Sequence, residues 1–178
     1  MPRQTRKVNL KKYNPASLCC SRKRVSVGPP RYYSGLTRKA AAERRKEIQK
    51  FGSLHWRNPR AYVGFKTDRG VKGRSSNYTR RFKALFPKAT SLKAKAQATG
   101  VPERFLKASY NRGLAAWRTG HRPGATQGAW GYARVSALLT CGRAHYTTDS
   151  DLVREAKKHS AKARKWFKRC KTSKLTKI

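Results

Sequence analysis

The chain has 178 residues, with 45 lysines and arginines against seven aspartates and glutamates, so its formal net charge is +38. This charge excludes a globular protein whose own charges balance, because repulsion among the cations opposes a compact fold until a polyanion or an acidic protein surface neutralises them. Aromatic residues make up 10% of the chain, too many for a purely disordered polycation. We therefore expect one domain with a modest core, together with charged extensions.

The few acidic residues are unevenly distributed along the chain. None occurs before Glu43, and none lies between Glu103 and Asp149. Little internal neutralisation is therefore available, so a partner must supply the balancing charge. Nucleic acid, an anionic membrane face and acidic neighbours in a large assembly are the candidate partners.

Cysteine and histidine spacing predicts neither a metal site nor a cofactor. The four cysteines form no Cys-x-x-Cys pair, and the four histidines are scattered. Reduced thiols are the simplest interpretation, although the sequence leaves open whether the cysteines are free or bridged. We expect no signal peptide, because the first residues lack an apolar core, and no transmembrane segment, because no run approaches the roughly 20 apolar residues required.

Residues 1–36 have the composition of a long extended basic arm. Prolines and glycines interrupt any helix in this segment, and the short run RVSV is at most a marginal strand. The arm is suited to lie along a partner surface. Its apolar anchors are Tyr13, Leu18, Tyr32 and Tyr33.

Residues 37–74 combine one helix with an irregular aromatic and basic segment. The run TRKAAAERRKEIQK predicts a helix capped by Thr37, and its weak apolar face predicts light packing. In the following segment, AYVGF (61–65) is the best strand candidate of the chain. Rings interleaved with arginines also fit contact with single-stranded nucleic acid, but a loop held by its own aromatics is the favoured interpretation.

Residues 75–170 have the pattern of a small helical domain. Ser75 or Ser76 is placed to cap a helix that reaches about Phe86, and a shorter helix ends before Gly100. The run VPERFLKASYNRGLAAW predicts a core helix that begins near Pro102, with Gly113 marking a close helix contact or a bend. Another helix is expected from about residue 126 to 139.

The last helix of this domain is expected to be the longest. Thr148 with Asp151 resembles a capping box, and apolar residues from Leu152 to Cys170 follow one stripe that includes His159. The opposite face is rich in lysine and arginine, and residues 171–178 form a basic tail. The predicted fold is thus mainly α, a small helical domain behind a long basic arm.

The segment TGHRPGATQGAWGYARV (119–135) is more specific than the rest of the chain. Gly120 and Gly124 flank His-Arg-Pro in a tight loop, and Thr126 is placed to cap the next helix. The loop and helix terminus can receive an anion near His121 and Arg122, with Arg134 placed against Trp130. Alternatively, and with slightly more weight, Arg122 and Arg134 bind carbonyls and acidic side chains inside the domain.

An enzymatic function is not expected. Three of the seven acids fall within 149–155, where they serve a helix start, and no nucleophile lies in a recognised pattern with a base. The spacing of His121 and Asp149 supports an acid/base pair no better than chance does.

The run GHRPGATQGAWGYARVSALLTCGRAHYTTDSDL resembles a family of small basic proteins of the large nucleocytoplasmic DNA viruses, including chlorella-infecting viruses. The opening YNPASL is also similar to that family. The resemblance covers the C-terminal half well and the N-terminal half loosely. Its signature residues here are Gly120, Arg122, Pro123, Thr126, Trp130, Gly131, Ala133, Arg134, Gly142, Arg143 and Asp149.

The resemblance implies a virion structural protein made in the host cytoplasm, a minor capsid protein that bridges or cements capsomers on the inner face of an icosahedral shell. Its partners would be the major capsid protein and other minor capsid proteins, with the anionic inner membrane or DNA as further polyanions. The alternative is a nucleic-acid-binding protein that condenses a genome or binds RNA as ribosomal proteins do. The candidate anion or partner contacts are His121, Arg122, Arg134 and Arg143, and the candidate structural motif is Gly120, Pro123, Gly124, Thr126, Trp130 and Gly131.

Overall fold

The structure, a computed structural model, describes residues 28–55 and 58–172. Most of the predicted arm, with the run RVSV, and most of the predicted C-terminal tail lie outside these residues. Every regular element in the described ranges is helical, which confirms the mainly α prediction. The α-helices are α1 Arg38–Gly52, α2 Asn77–Leu85, α3 Leu92–Thr99, α4 Glu103–Arg118, α5 Gln127–Leu139, α6 Arg143–Tyr146, α7 Ser150–His159 and α8 Ala161–Lys168. Short 3-10 helices cover Pro30–Tyr32, Pro59–Tyr62, Lys66–Asp68 and Arg169–Thr172.

Three helix starts follow a predicted side-chain cap, at Thr37, Ser76 and Thr126, and α3 has a cap that was not predicted. Hydroxyl groups accept hydrogen bonds from backbone N–H groups in the first turns of α1, α2, α3 and α5, which satisfies donors that the helix itself leaves unpaired. The capping residues are Thr37, Ser76, Ser91 and Thr126. The end of α3 also follows prediction, because Gly100 adopts the left-handed conformation with φ of 71°.

Helices α4 and α5 form the central pair of the domain. A Cβ atom built on Gly113 of α4 would lie 2.7 Å from the Cα atom of Gly131 in α5, so the two backbones meet where neither has a side chain. The prediction that Gly113 marks a close helix contact is confirmed. The core around this pair is contiguous and includes Phe82, Leu106, Val135, Leu138, Val153, Trp166 and Phe167.

The prediction of a strand at AYVGF (61–65) is wrong. Its first two residues end the 3-10 helix Pro59–Tyr62, where Asn58 accepts a hydrogen bond from the N–H of Arg60. The described residues offer no strand for this segment to pair with, and it is irregular after Tyr62, with Ala61 buried and Val63 exposed. Phe65 is buried and stacks on Phe51 of α1.

The predicted long final helix is divided at Ser160 into α7 and α8. Ser160 has an extended backbone, its hydroxyl accepts from the N–H of Ala163, and the same hydroxyl donates to the carbonyl of Gly100. The break alters the predicted apolar stripe, since His159 is exposed and stacks on Phe105. The predicted capping box is also wrong, because Asp149 rather than Thr148 occupies the N-cap position of α7.

Two further expectations need correction. Helix α1 is not lightly packed, because Arg44 and Ile48 are buried. Cys141 and Cys170 are joined in a disulfide rather than being reduced thiols. Cys141 has a positive φ of 57°, at a helix end where the backbone conformation usually favours glycine. The disulfide, and not the backbone conformation, therefore accounts for a cysteine at this position. Within the described ranges, no helix combines the length and apolarity needed to cross a membrane.

Candidate functional site

Asp149 is a fully buried carboxylate at the junction of α4, α5 and α7. Arg134 of α5 donates to both of its oxygens, at 2.9 Å from Nε and 2.6 Å from Nη2. Ser109 of α4 donates its hydroxyl at 2.8 Å, and Arg112 of the same helix approaches at 3.3 Å. Charge-assisted bonds of this bidentate kind are the strongest in proteins, so they fix the start of α7 against the central helix pair.

Asp151 forms an outer layer on the same junction. Arg112 donates to its two oxygens at 2.7 and 2.6 Å and also to the carbonyl of Thr148 at 2.9 Å. The hydrogen bond from Arg112 lowers the pKa of Asp151 to about 2, and the paired carboxylates raise the pKa of Arg112 above its ordinary value. Two arginines and two aspartates thus interlock at the N-terminus of α7.

Asp68 is the centre of a second, separate cluster at the end of the 3-10 helix Lys66–Asp68. Arg44 of α1 donates to its Oδ1 at 2.6 Å, and the N–H of Gly124 donates to the same oxygen at 3.0 Å. His121 Nε2 lies 2.7 Å from Oδ2. Burial alone would raise the pKa of Asp68, but hydrogen bonds from His121, Gly124 and Arg44 outweigh it and lower the pKa to about 2.

His121 is fully buried between aromatic rings. Its ring stacks on Trp117 at 4.2 Å and on Phe65 at 4.7 Å between centroids. Nδ1 lies 2.8 Å from the carbonyl oxygen of Trp117, and Nε2 faces Asp68. Both partners are hydrogen-bond acceptors, and each lies within hydrogen-bond distance of one ring nitrogen. Neither nitrogen is left to meet a ligand.

The Gly-His-Arg-Pro-Gly loop is held by this cluster. Gly124 has a positive φ of 73°, and a Cβ there would lie 2.2 Å from the carbonyl oxygen of Val71, so only glycine fits. Trp117 donates its indole N–H to the carbonyl of Ala125 at 2.6 Å, which closes the loop onto the end of α4. Arg44 donates to the carbonyl of His121 at 2.6 Å from the other side.

Of the four candidate anion contacts, two are engaged by carboxylates inside the fold and two are exposed. His121 and Arg134 lie in different clusters and are engaged by Asp68 and Asp149, which agrees with the alternative interpretation for Arg134. Arg122 and Arg143 are exposed. Within the candidate structural motif, Pro123 and Gly131 are buried, and the ring of Trp130 meets that of Tyr32 edge-on at 6.2 Å between centroids.

Several residues of the two clusters were not identified from the sequence, namely Arg44, Asp68, Ser109 and Arg112. Asp149 carried one usable signal, since it is the first acid after a gap that begins at Glu103. An isolated acid within a strongly basic region is expected to collect arginines. Asp68 stands equally alone between Glu47 and Glu103 and gives the same signal.

Five of the seven acids form hydrogen bonds or ion pairs within the described residues. Glu47 accepts from the backbone N–H of Lys66, while Asp68, Asp149, Asp151 and Glu155 each contact at least one cationic side chain. All seven acids are already included in the net charge of +38. The excess positive charge is carried by lysines and arginines, which far outnumber the acids. In the ranges that the structure describes, no three His, Cys, Asp or Glu side chains are grouped to hold a metal ion.

Fold and site together define a basic, all-helical domain in which two carboxylates, Asp68 and Asp149, organise the central helices. The chain belongs to the family of unknown function DUF5824, whose pattern matches residues 29–159. This range contains both carboxylate clusters and the Gly-His-Arg-Pro-Gly loop. No curated protein and no solved structure matches the chain.

Proposed function

We propose that the protein is a non-enzymatic structural protein of a virion, a minor capsid protein that bridges or cements capsomers on the inner side of an icosahedral shell. The observation that carries the proposal is that acidic side chains are paired within the fold, while the protein retains a large excess of cationic side chains. Asp68 and Asp149 bind cations inside the fold, and, with the exception of the buried Lys95, most of the remaining lysines and arginines of the described residues are exposed. A surface of this kind adheres to acidic neighbours and has little affinity for itself.

The residues that resemble the viral family's signature support a structural role. Arg134 and Asp149 pair with each other, Gly131 allows contact between α4 and α5, and Gly120 with Pro123 shapes the loop that covers Asp68. These residues build the domain and expose no reactive group. Arg122 and Arg143, the exposed members of the signature, are available to acidic neighbours.

The test is a virus whose copy of this protein lacks residues 1–27. This deletion removes most of the basic arm but retains Tyr32, which packs on Trp130 and against Gly120. We expect fewer assembled particles with lower heat resistance, because capsomers lose a bridge. Normal yields of equally heat-resistant particles would rule out the bridging role. Circular dichroism of the isolated truncated chain serves as the control that residues 28–172 remain folded.

The second candidate function is nucleic-acid binding, by genome condensation or in the manner of ribosomal proteins. It is favoured by the outward face of α8, which carries cations and no acid. Location separates the two candidates better than affinity does, since a polycation binds DNA regardless of its role. Opened particles treated with nuclease should retain the protein in the shell fraction. Release together with the digested genome would favour the second candidate.

A further inference from the structure

Helix α8 has an unusually one-sided distribution of charge. Ala163, Trp166 and Phe167 are buried, whereas Lys162, Arg164, Lys165 and Lys168 are exposed. Neither α8 nor the adjacent α3 contains an acidic residue. The α8 face, defined here as these four exposed cations, therefore receives no neutralisation from its own helix or from α3.

The α8 face is held rigidly to the core. Ser160 fixes its start by bonding Ala163 and Gly100, and the indole N–H of Trp166 donates to the carbonyl of Leu139 at 3.0 Å. Just beyond its end, Cys170 is bonded to Cys141 at the end of α5. The backbone beneath the cations is thus ordered before any partner arrives, and preorganisation lowers the entropic cost of binding.

The composition of the α8 face favours phosphate groups over an acidic protein. Protein interfaces are centred on buried apolar anchors, while phosphate contacts need only cations. In the described ranges the exposed large hydrophobic side chains are Val63 and Tyr146, and neither lies on α8. The aromatic residues of α8 point into the core.

The spacing of the lysines also suits a nucleic-acid backbone. Lys162, Lys165 and Lys168 recur every three residues, which places them about 4.5 Å apart along the helix axis. Duplex DNA carries one negative charge per about 1.7 Å of its axis, counted over both strands, so it offers phosphates at a higher density than three lysines require.

We propose that the α8 face binds the phosphate backbone of double-stranded nucleic acid through Lys162, Lys165 and Lys168, without reading its sequence. The inference deepens the second candidate function, nucleic-acid binding, because it names the residues that make the contact and the phosphate backbone that they contact. It requires no covalent step and no cofactor.

The experiment compares two triple variants of the full chain. One carries Lys162→Gln, Lys165→Gln and Lys168→Gln, and the matched control carries Lys39→Gln, Lys46→Gln and Lys50→Gln on α1, where the lysines are also exposed. Both variants lose the same charge. Binding of a 20-base-pair duplex is measured over a range of salt concentrations.

We expect the α8 variant to bind the duplex at least tenfold more weakly and to lose about 2 to 3 units of salt slope, since each phosphate contact contributes about 0.9. The α1 control should lose less than one unit. Equal losses in both variants would show that bulk charge alone binds DNA and would overturn the proposal. An α8 variant with normal duplex binding but weakened binding to polyglutamate would overturn it in favour of an acidic protein partner.

A second measurement uses the unmodified chain and does not depend on how a variant folds. Acetylation by an amine-reactive reagent is followed by mass spectrometry with and without the duplex. Protection of Lys162, Lys165 and Lys168, with unchanged labelling of Lys39, Lys46 and Lys50, supports the proposal, and uniform protection contradicts it. Neither result depends on location in the particle, so a protein found outside the shell would overturn the proposed function and leave this inference standing.

Discussion

Arg134 donates two hydrogen bonds to the carboxylate of Asp149, which lies 15 residues later in the sequence and is fully buried. Arg112 and Ser109 reach the same carboxylate from α4. A buried charge bound on this many sides becomes a strong constraint, because removing it leaves its partners without a counter-charge.

Replacing Asp149 with asparagine is expected to lower the free energy of unfolding by about 3 to 5 kcal/mol, the usual cost of breaking a buried ion pair from one side. Urea denaturation followed by circular dichroism measures the change. Glu155→Gln is the control, since Glu155 contacts Arg154 and Lys158 only at the surface, and its melting temperature should match that of the parent chain. A loss below 1 kcal/mol for Asp149→Asn would contradict the assigned role.

The lowered pKa of Asp68 predicts that the folded protein loses stability in acid. Its pKa is about 2 in the folded chain against an ordinary value of 3.8, so the unfolded chain binds more protons between these values. The resulting stabilisation, about 2 kcal/mol, is fully present above the ordinary pKa and disappears as the pH falls through 2. Chemical denaturation at a series of pH values measures the loss.

The control for this prediction is a pair of asparagine variants. Asp68→Asn should remove most of the pH dependence between pH 4 and 2. Asp151→Asn should remove little of it, because Asp151 is half-exposed and its ion pair is screened by solvent. Equal effects of the two substitutions would argue against a special role for the Asp68 cluster.

The contact between α4 and α5 predicts opposite effects for two glycine substitutions. At Gly113, an added Cβ would meet the Cα of Gly131 at 2.7 Å, so the backbones must separate. Gly113→Ala should therefore cost about 1 to 3 kcal/mol despite the better helix propensity of alanine.

Gly128 in α5 is the matched control. There the nearest atom is the hydroxyl oxygen of Tyr110 at 3.5 Å, an ordinary contact distance. Gly128→Ala should stabilise the chain by about 0.5 to 1 kcal/mol through propensity alone. Thermal melting of both variants checks the pair, and a stabilised Gly113→Ala variant would show that the helices are not in close contact.

The disulfide between Cys141 and Cys170 closes a loop with a sequence separation of 29. Loop-closure entropy for this length predicts a stabilisation of about 3 to 4 kcal/mol that is lost on reduction. Denaturation with and without a phosphine reductant measures it, and a Cys141→Ser/Cys170→Ser variant should match the reduced parent and be insensitive to the reductant. A reduced parent as stable as the oxidised one would contradict the prediction.

Local signals in the sequence predicted the local features of the fold. The caps at Thr37, Ser76 and Thr126 depend on a hydroxyl and the N–H groups of the next turn, all within three residues. Gly113 and Gly100 were likewise recognisable, because glycine inside or after a helical pattern has few explanations.

The remaining features depend on partners that are distant in sequence. Arg44 is buried only because Asp68, 24 residues later, and the carbonyl of His121, 77 residues later, accept from it. Periodicity assigns an arginine in α1 to the surface and carries no information about such partners. The division at Ser160 is similar, because its hydroxyl bonds the carbonyl of Gly100, 60 residues earlier.

The placement of the acids has a consequence for how the protein responds to ionic strength. Salt screens the repulsion among the outward cations and so favours the folded chain, yet the same screening releases any polyanion bound to them. The ion pair of Asp149 is buried and little affected. At high salt the protein should thus be most stable and should retain the fewest partners. When the salt concentration is lowered, the protein should either unfold or assemble with a polyanion.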